Sequence, residues 1–229
     1  LGPTGIVFDE PNLTTLQDAV KGYLSGHPQL NCAAINAVLD NTVTTGLHTV
    51  GLTAGAKRTL LIAYGQLAEP AQGDVCFGGQ FTQGAYQAAS EGGAKIVTIP
   101  LQGWAADAIF IPNARPFGTL LHAKGAETAV NTAVGVDDNG AASSLGGFMN
   151  YHITAGDGGT ITIKTQDAAV NSDVSFADLT GCTTGVINAT AGTSGIVNST
   201  TLTVRRYLRW QIVLGTCLTC TFCLGFTRG

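Results

Sequence analysis

Apolar and polar residues alternate one by one along much of this chain. Met149, Tyr151 and Ile153 alternate with Asn150, His152 and Thr154, and Ile161 and Ile163 with Thr160, Thr162 and Lys164. A period of two with a single apolar face predicts antiparallel strands packed on one side. Gly156-Asp157-Gly158-Gly159 separates the two runs, and its residue types predict the turn of a hairpin. Further on, Val204, Leu208, Trp210 and Ile212 fall on one face of a strand, with Arg206 among them. Arg205, Tyr207, Arg209 and Gln211 fall on the other. In the last strand Leu218, Cys220, Phe222, Leu224 and Phe226 share a face opposite Cys217, Thr219, Thr221 and Cys223.

Upstream the same punctuation recurs. Residues 59–64, 74–77, 95–99, 108–111 and 118–122 are short runs rich in β-branched or large apolar residues, bounded by Gly, Pro, Asn or Asp. Residues 31–40 fit either a strand or a short helix. Leu16, Ala19, Val20, Tyr23 and Leu24 fall at helical spacing, with Thr14 or Thr15 as cap and Gly26 and Pro28 as stop. Residues 1–11 carry Pro3, Gly5 and Pro11 and predict an extended arm. The expected fold is therefore mainly β, an antiparallel sandwich or barrel with a short N-terminal helix. The expected organisation is an arm and helix over 1–30, a first β-rich half over 31–122, a loop or linker, or else a pair of weak strands, over 123–147, and a second sandwich half over 148–229. A tandem pair of sandwiches, split near residues 115–145, is an alternative on the same pattern.

Composition changes this picture in one respect. Only 11% of the 229 residues are charged, 31 are Gly, and the net charge is −4. A well-behaved monomer carries roughly 25–35% charged residues on its surface. A chain this poor in charge is expected to bury much of its surface against partners, as an obligate oligomer. The acidic balance argues against a tight DNA binder, which needs a basic patch. No run approaches the ~18 apolar residues of a membrane-spanning helix. Asp9 and Glu10 sit where a signal peptide would be apolar, so no secretion signal is expected, and the sequons at Asn12, Asn188 and Asn198 are expected to be fortuitous.

Candidate chemistry is sparse. Cys217-x-x-Cys220-x-x-Cys223 has the spacing of a metal or redox motif. On a strand, however, Cys220 points to the core face while the other two point away, and no nearby His or Cys completes four ligands. A disulfide from Cys182 or Cys32 to this strand stays open, although reduced thiols are the expectation. The four histidines, at 27, 48, 122 and 152, form no H-x-x-x-H pattern, and Asp167, Asp173 and Asp178 fit no calcium loop. No nucleophile, base and oxyanion set assembles, so neither an enzyme nor a cofactor nor a metal is expected. The Arg205, Tyr207, Arg209 stripe reads either as a nucleic-acid surface or as a subunit interface, where arginines meet carboxylates of a neighbour. The acidic balance favours the interface. Asp137, Asp138, Asp157 and Asp173 are expected in turns, and are the candidates to line a channel or loop with negative charge.

Four segments, in order, resemble the closing part of the major tail, or tail tube, proteins of tailed bacteriophages. They are Tyr151–Ala155, Thr160–Asp167, Phe176–Leu179 with the following Thr-Gly, and Val204–Arg209 followed by Phe222–Arg228. The likeness is best over residues 145–229, loose over 43–122, and absent from the first 30. It implies a non-enzymatic structural virion protein of a siphovirus, a β-sandwich assembled in the host cytoplasm into stacked rings around a DNA channel. The rings would be hexamers, or trimers of a duplicated sandwich. DNA would pass without specific binding. A capsid decoration (cement) protein and a carbohydrate-binding sandwich module are the alternatives.

Overall fold

A computed structural model describes residues 5–8, 28–39, 52–102 apart from 54, 66, 68 and 92, 117–130, 137–199 and 203–229. The expected helix over 14–24 and the expected strand over 108–111 lie outside the described residues. Among those described, the chain is mainly β, with two antiparallel sheets and one short 3-10 turn at Asp173–Ser175. Its compact units are Leu1–Arg58 with Gln80–Ala108, and Thr59–Gly79 with Ile109–Gly229. The division thus falls within residues 57–83 and near 108, and residues 123–147 belong wholly to the second unit.

The first unit holds β1 (Gly5–Phe8), β2 (Pro28–Val38), the end of a long strand ending at Gln83, β5 (Gln87–Glu91) and β6 (Ala94–Gln102). Residues 31–40, ambiguous in sequence, are thus a strand to Val38. Ile35 stands opposite Ile99 and Ala37 opposite Val97, so the run is held by cross-strand apolar pairs. β5 and β6 form a hairpin, with Gly93 at φ 84 in the turn. Val97, Ile99, Leu101 and Phe81 are buried.

The second unit holds most of β3 (Lys57–Tyr64) and the start of β4 (Val75–Gln83), followed by β7 (Phe117–Glu127), β8 (Asp137–Asp138), β9 (Gly147–Gly156) and β10 (Thr160–Ala168). Then come β11 (Ala177–Thr183), β12 (Ile187–Asn188), β13 (Ser194–Ser199), β14 (Tyr207–Leu214) and β15 (Cys220–Arg228). One sheet runs β4-β7-β15-β9-β13, with β3 beside β4. The other runs β11-β10-β14-β8, with β12 continuing the β11 side of β10. Their apolar faces form a common core: Met149, Tyr151 and Ile153 from β9, Ile161 and Ile163 from β10, Leu208, Trp210 and Ile212 from β14, and Phe222, Leu224 and Phe226 from β15. The unit is an antiparallel β-sandwich.

Three expectations are corrected. β9 and β10 do not form a hairpin. β9 pairs with β13 and β15, β10 with β11, β12 and β14, and Gly156–Gly159 is a corner between the sheets. The glycines serve close backbone approach: a Cβ on Gly156 would come within 2.2 Å of the Ala189 carbonyl oxygen, and one on Gly159 within 2.4 Å of the Cys217 nitrogen. The second correction is that residues 123–127 extend β7 instead of opening a loop. The third concerns the start of the last strand. β15 begins at Cys220, so alternation does not reach back to residues 217 and 218. Leu218 is exposed and Cys217 is buried, the reverse of the expected facing.

Candidate functional site

The Arg205–Arg209 stripe enters β14 at its first residues, beside β10. In register, Arg209 stands opposite Gln166, Leu208 opposite Asp167, and Tyr207 opposite both Ala168 and Asp138. This edge of the sandwich gathers four arginines and four aspartates.

Arg209 is the best enclosed, at 4% exposure. Its Nε donates to Gln166 Oε1 at 2.8 Å, its Nη1 to the Asp173 carboxylate, and its guanidinium lies 4.4 Å from the Phe176 ring centroid. The chain between β10 and β11 therefore folds over the outer face of β14. Charge pairing, a neutral hydrogen bond and a ring face together compensate the guanidinium for lost water. Asp167, buried at 2%, accepts from the Arg205 backbone N–H at 2.8 Å and lies 3.5 Å from Arg205 Nε. Arg206 grips exposed Asp138 with two bonds of 2.6 and 2.8 Å and covers the Tyr207 ring at 4.7 Å. Hydrogen bonding from Arg206 and from the Gly140 N–H holds the Asp138 carboxyl down to about 2. Arg228, from the end of β15, donates to Asp137 Oδ2 and to the carbonyls of Val204, Arg205 and Arg206. Burial pushes the Arg228 pKa down against the opposing pull of Asp137. Thr119 completes the Asp137 carboxylate from β7 at 2.9 Å.

The candidate residues thus meet each other within one chain. Asp137, Asp138 and Asp173 are the partners of Arg228, Arg206 and Arg209. Asp137 and Asp138 also form β8, which corrects their expected placement in a turn. Asp157 lies elsewhere, at the inter-sheet corner. It accepts from the backbone N–H groups of Gly159 and Leu218, at 2.9 and 2.8 Å. Those bonds, the one to Leu218 first, hold its carboxyl down to about 2. Sequence reasoning missed Arg228, Asp167 and Phe176 as members of the cluster. Their partners lie far along the chain, and a strand's alternation says nothing about what covers its outer face.

Charges in the arginine cluster balance, so the stripe projects no net positive field. Burial pushes the Cys76 and Cys182 thiols up to about 12 and that of Cys220 to about 11, away from the reactive thiolate form. Among the described residues no three His, Cys, Asp or Glu side chains are grouped to hold a metal ion, and no helix is long and apolar enough to cross a membrane. No protein-family model, curated protein or solved structure matches this chain.

Proposed function

We propose that this chain is a structural subunit of a tailed-bacteriophage virion, the tail tube protein, which assembles with copies of itself into stacked rings around a DNA channel. The observation that carries this reading is the combination of a charge-poor sandwich with large apolar residues on its connecting loops. Val170 and Val174 between β10 and β11, Val186 after β11 and Leu218 before β15 are 63%, 94%, 76% and 80% exposed. A surface with little charge and projecting valines and leucines gains by being covered. The arginine cluster is neutralised within the chain and offers phosphates no unpaired positive charge, in keeping with DNA that passes without specific binding. Arg205 and Tyr207, both partly exposed, remain available to a neighbouring copy, whereas buried Arg209 would shape that contact from beneath.

Negative-stain imaging and light scattering of the purified protein test the proposal together. Stacked rings or tubes support it, whereas closed trimers that do not stack, or a monodisperse monomer at high concentration, would overturn it and move the reading to a capsid decoration protein. A filter-binding titration near physiological salt should show no tight retention of duplex DNA. Salt-sensitive retention lost on Arg205→Ala would make the stripe a nucleic-acid site instead.

A further inference from the structure

Asn139–Gly140 is the one Asn-Gly pair in the chain. It follows β8 directly, and both residues are exposed. Glycine has no Cβ to crowd its own nitrogen, so an asparagine side-chain carbonyl is most open to attack by the next backbone nitrogen when glycine follows. The turn that holds the pair is tied at both ends to the chain leading into β14. The Asn139 N–H donates to the Arg206 carbonyl, and Ser143 and Val204 exchange N–H···O bonds of 2.9 and 2.8 Å. Inside the turn, Asn139 Nδ2 donates to the Ala141 carbonyl at 2.9 Å, which folds the carboxamide forward beside the Gly140 peptide. One contact opposes reaction. The Gly140 N–H donates to Asp138 Oδ1 at 2.9 Å, and Arg206 Nε holds that same oxygen at 2.6 Å. The nitrogen attacks only after giving up its hydrogen, and a hydrogen bond to a carboxylate stabilises the N–H form.

We propose that Asn139 is a site of spontaneous deamidation, and that the Arg206–Asp138 pair sets its rate. The Gly140 nitrogen loses its proton to solvent base and bonds to Asn139 Cγ. The Cγ–Nδ2 bond breaks, and the amine leaves as ammonia with a proton from water. Water then opens the succinimide ring at either carbonyl, giving aspartate or, with one more carbon in the backbone, isoaspartate. Both products lose the donor to Ala141 and add one negative charge to an edge whose charges otherwise balance. Isoaspartate also lengthens a turn whose two ends are tied. Asp157–Gly158, the comparable Asp-Gly pair at the inter-sheet corner, is closed to this chemistry. Its Gly158 N–H donates to the Ala189 carbonyl at 3.0 Å, and both of its carboxylate oxygens accept from backbone N–H groups.

The test is incubation of the folded protein at mildly alkaline pH, followed by peptide mapping by mass spectrometry and an isoaspartate assay, beside the same chain denatured in urea. Asn139 should convert before any other asparagine of the described residues, and more slowly than in the denatured chain. Asp138→Ala removes the acceptor and should speed conversion roughly three- to tenfold, the scale of a hydrogen bond to an exposed charged group. Arg206→Ala only loosens the acceptor and should speed it less. Asn188 and Asn198 should keep their wild-type rates in both variants. Earlier conversion at another described asparagine would overturn the proposal, as would a rate at Asn139 unchanged in both variants. Parallel speeding of Asn139, Asn188 and Asn198 would also overturn it, because the pair would then act by holding the whole fold together and not by holding the Gly140 N–H.

Discussion

Truncating Phe222 tests the sandwich core at its centre. Phe222 is fully buried on β15, which lies between β7 and β9 in its sheet. Its ring stacks on His122 and meets Trp210 of the opposite sheet at 5.6 Å and 76°. Phe222→Ala removes the hydrophobic burial of the ring and leaves a cavity whose walls belong to two sheets and relax little. Losses for buried Phe→Ala are about 3–5 kcal/mol. Two aromatic contacts worth about 0.5–1.5 kcal/mol each beyond area place this site toward the upper end. Against a typical total of ~5–15 kcal/mol that is a large fraction, and the variant should unfold at much lower urea with an unchanged m value. Urea titration followed by circular dichroism measures it. Phe222→Leu, which keeps most of the volume, should lose far less, so the pair of variants separates cavity formation from general intolerance. A loss below about 1 kcal/mol for Phe222→Ala would mean the ring is not enclosed between the sheets and would refute the sandwich packing described above.

Other consequences are testable with the same material. Asp173→Ala leaves the buried Arg209 guanidinium without its carboxylate and should cost roughly 1–3 kcal/mol in urea unfolding, whereas Lys164→Ala, which breaks the more exposed pair with Asp178, should cost under ~1 kcal/mol. Burial lowers the His152 pKa, and its Nε2 has no hydrogen-bond partner. The unfolded chain therefore takes up a proton more readily than the folded one, and this site's contribution is lost as pH falls below the ordinary histidine value of about 6.5. Thermal unfolding at about pH 5 and 7 should show that loss, diminished in His152→Gln. Thiol alkylation without reductant should modify all six cysteines under denaturing conditions, whereas in the folded protein Cys76 and Cys182, protonated by burial, should react far more slowly than half-buried Cys223. Fewer than six modified, restored by reductant, would establish a disulfide.

What this sequence determines by itself is local. Alternation names which residues of a strand share a face, and that reading holds at Ile161 and Ile163, at Leu208, Trp210 and Ile212, and at Phe222, Leu224 and Phe226, all buried between the sheets. It holds because the pleat imposes a period of two whatever the neighbouring strand is. Tertiary structure decides which neighbour each strand takes. β9 and β10 follow one another through a glycine-rich turn, yet join opposite sheets, because each buries its apolar face by covering the other's layer. Burial on a strand's outer face is equally non-local. Arg209 shares a face with half-exposed Tyr207 and Gln211, and is enclosed because Asp173 and Phe176 fold across it. Arg228 meets Asp137 over 91 positions of chain, and Arg206 meets Asp138 over 68. No spacing rule spans such distances, since ion pairs form wherever folding brings opposite charges together. The bulge that turns His122 toward Phe222 and Glu127 is a mismatch between two strands, so neither strand's sequence contains it alone.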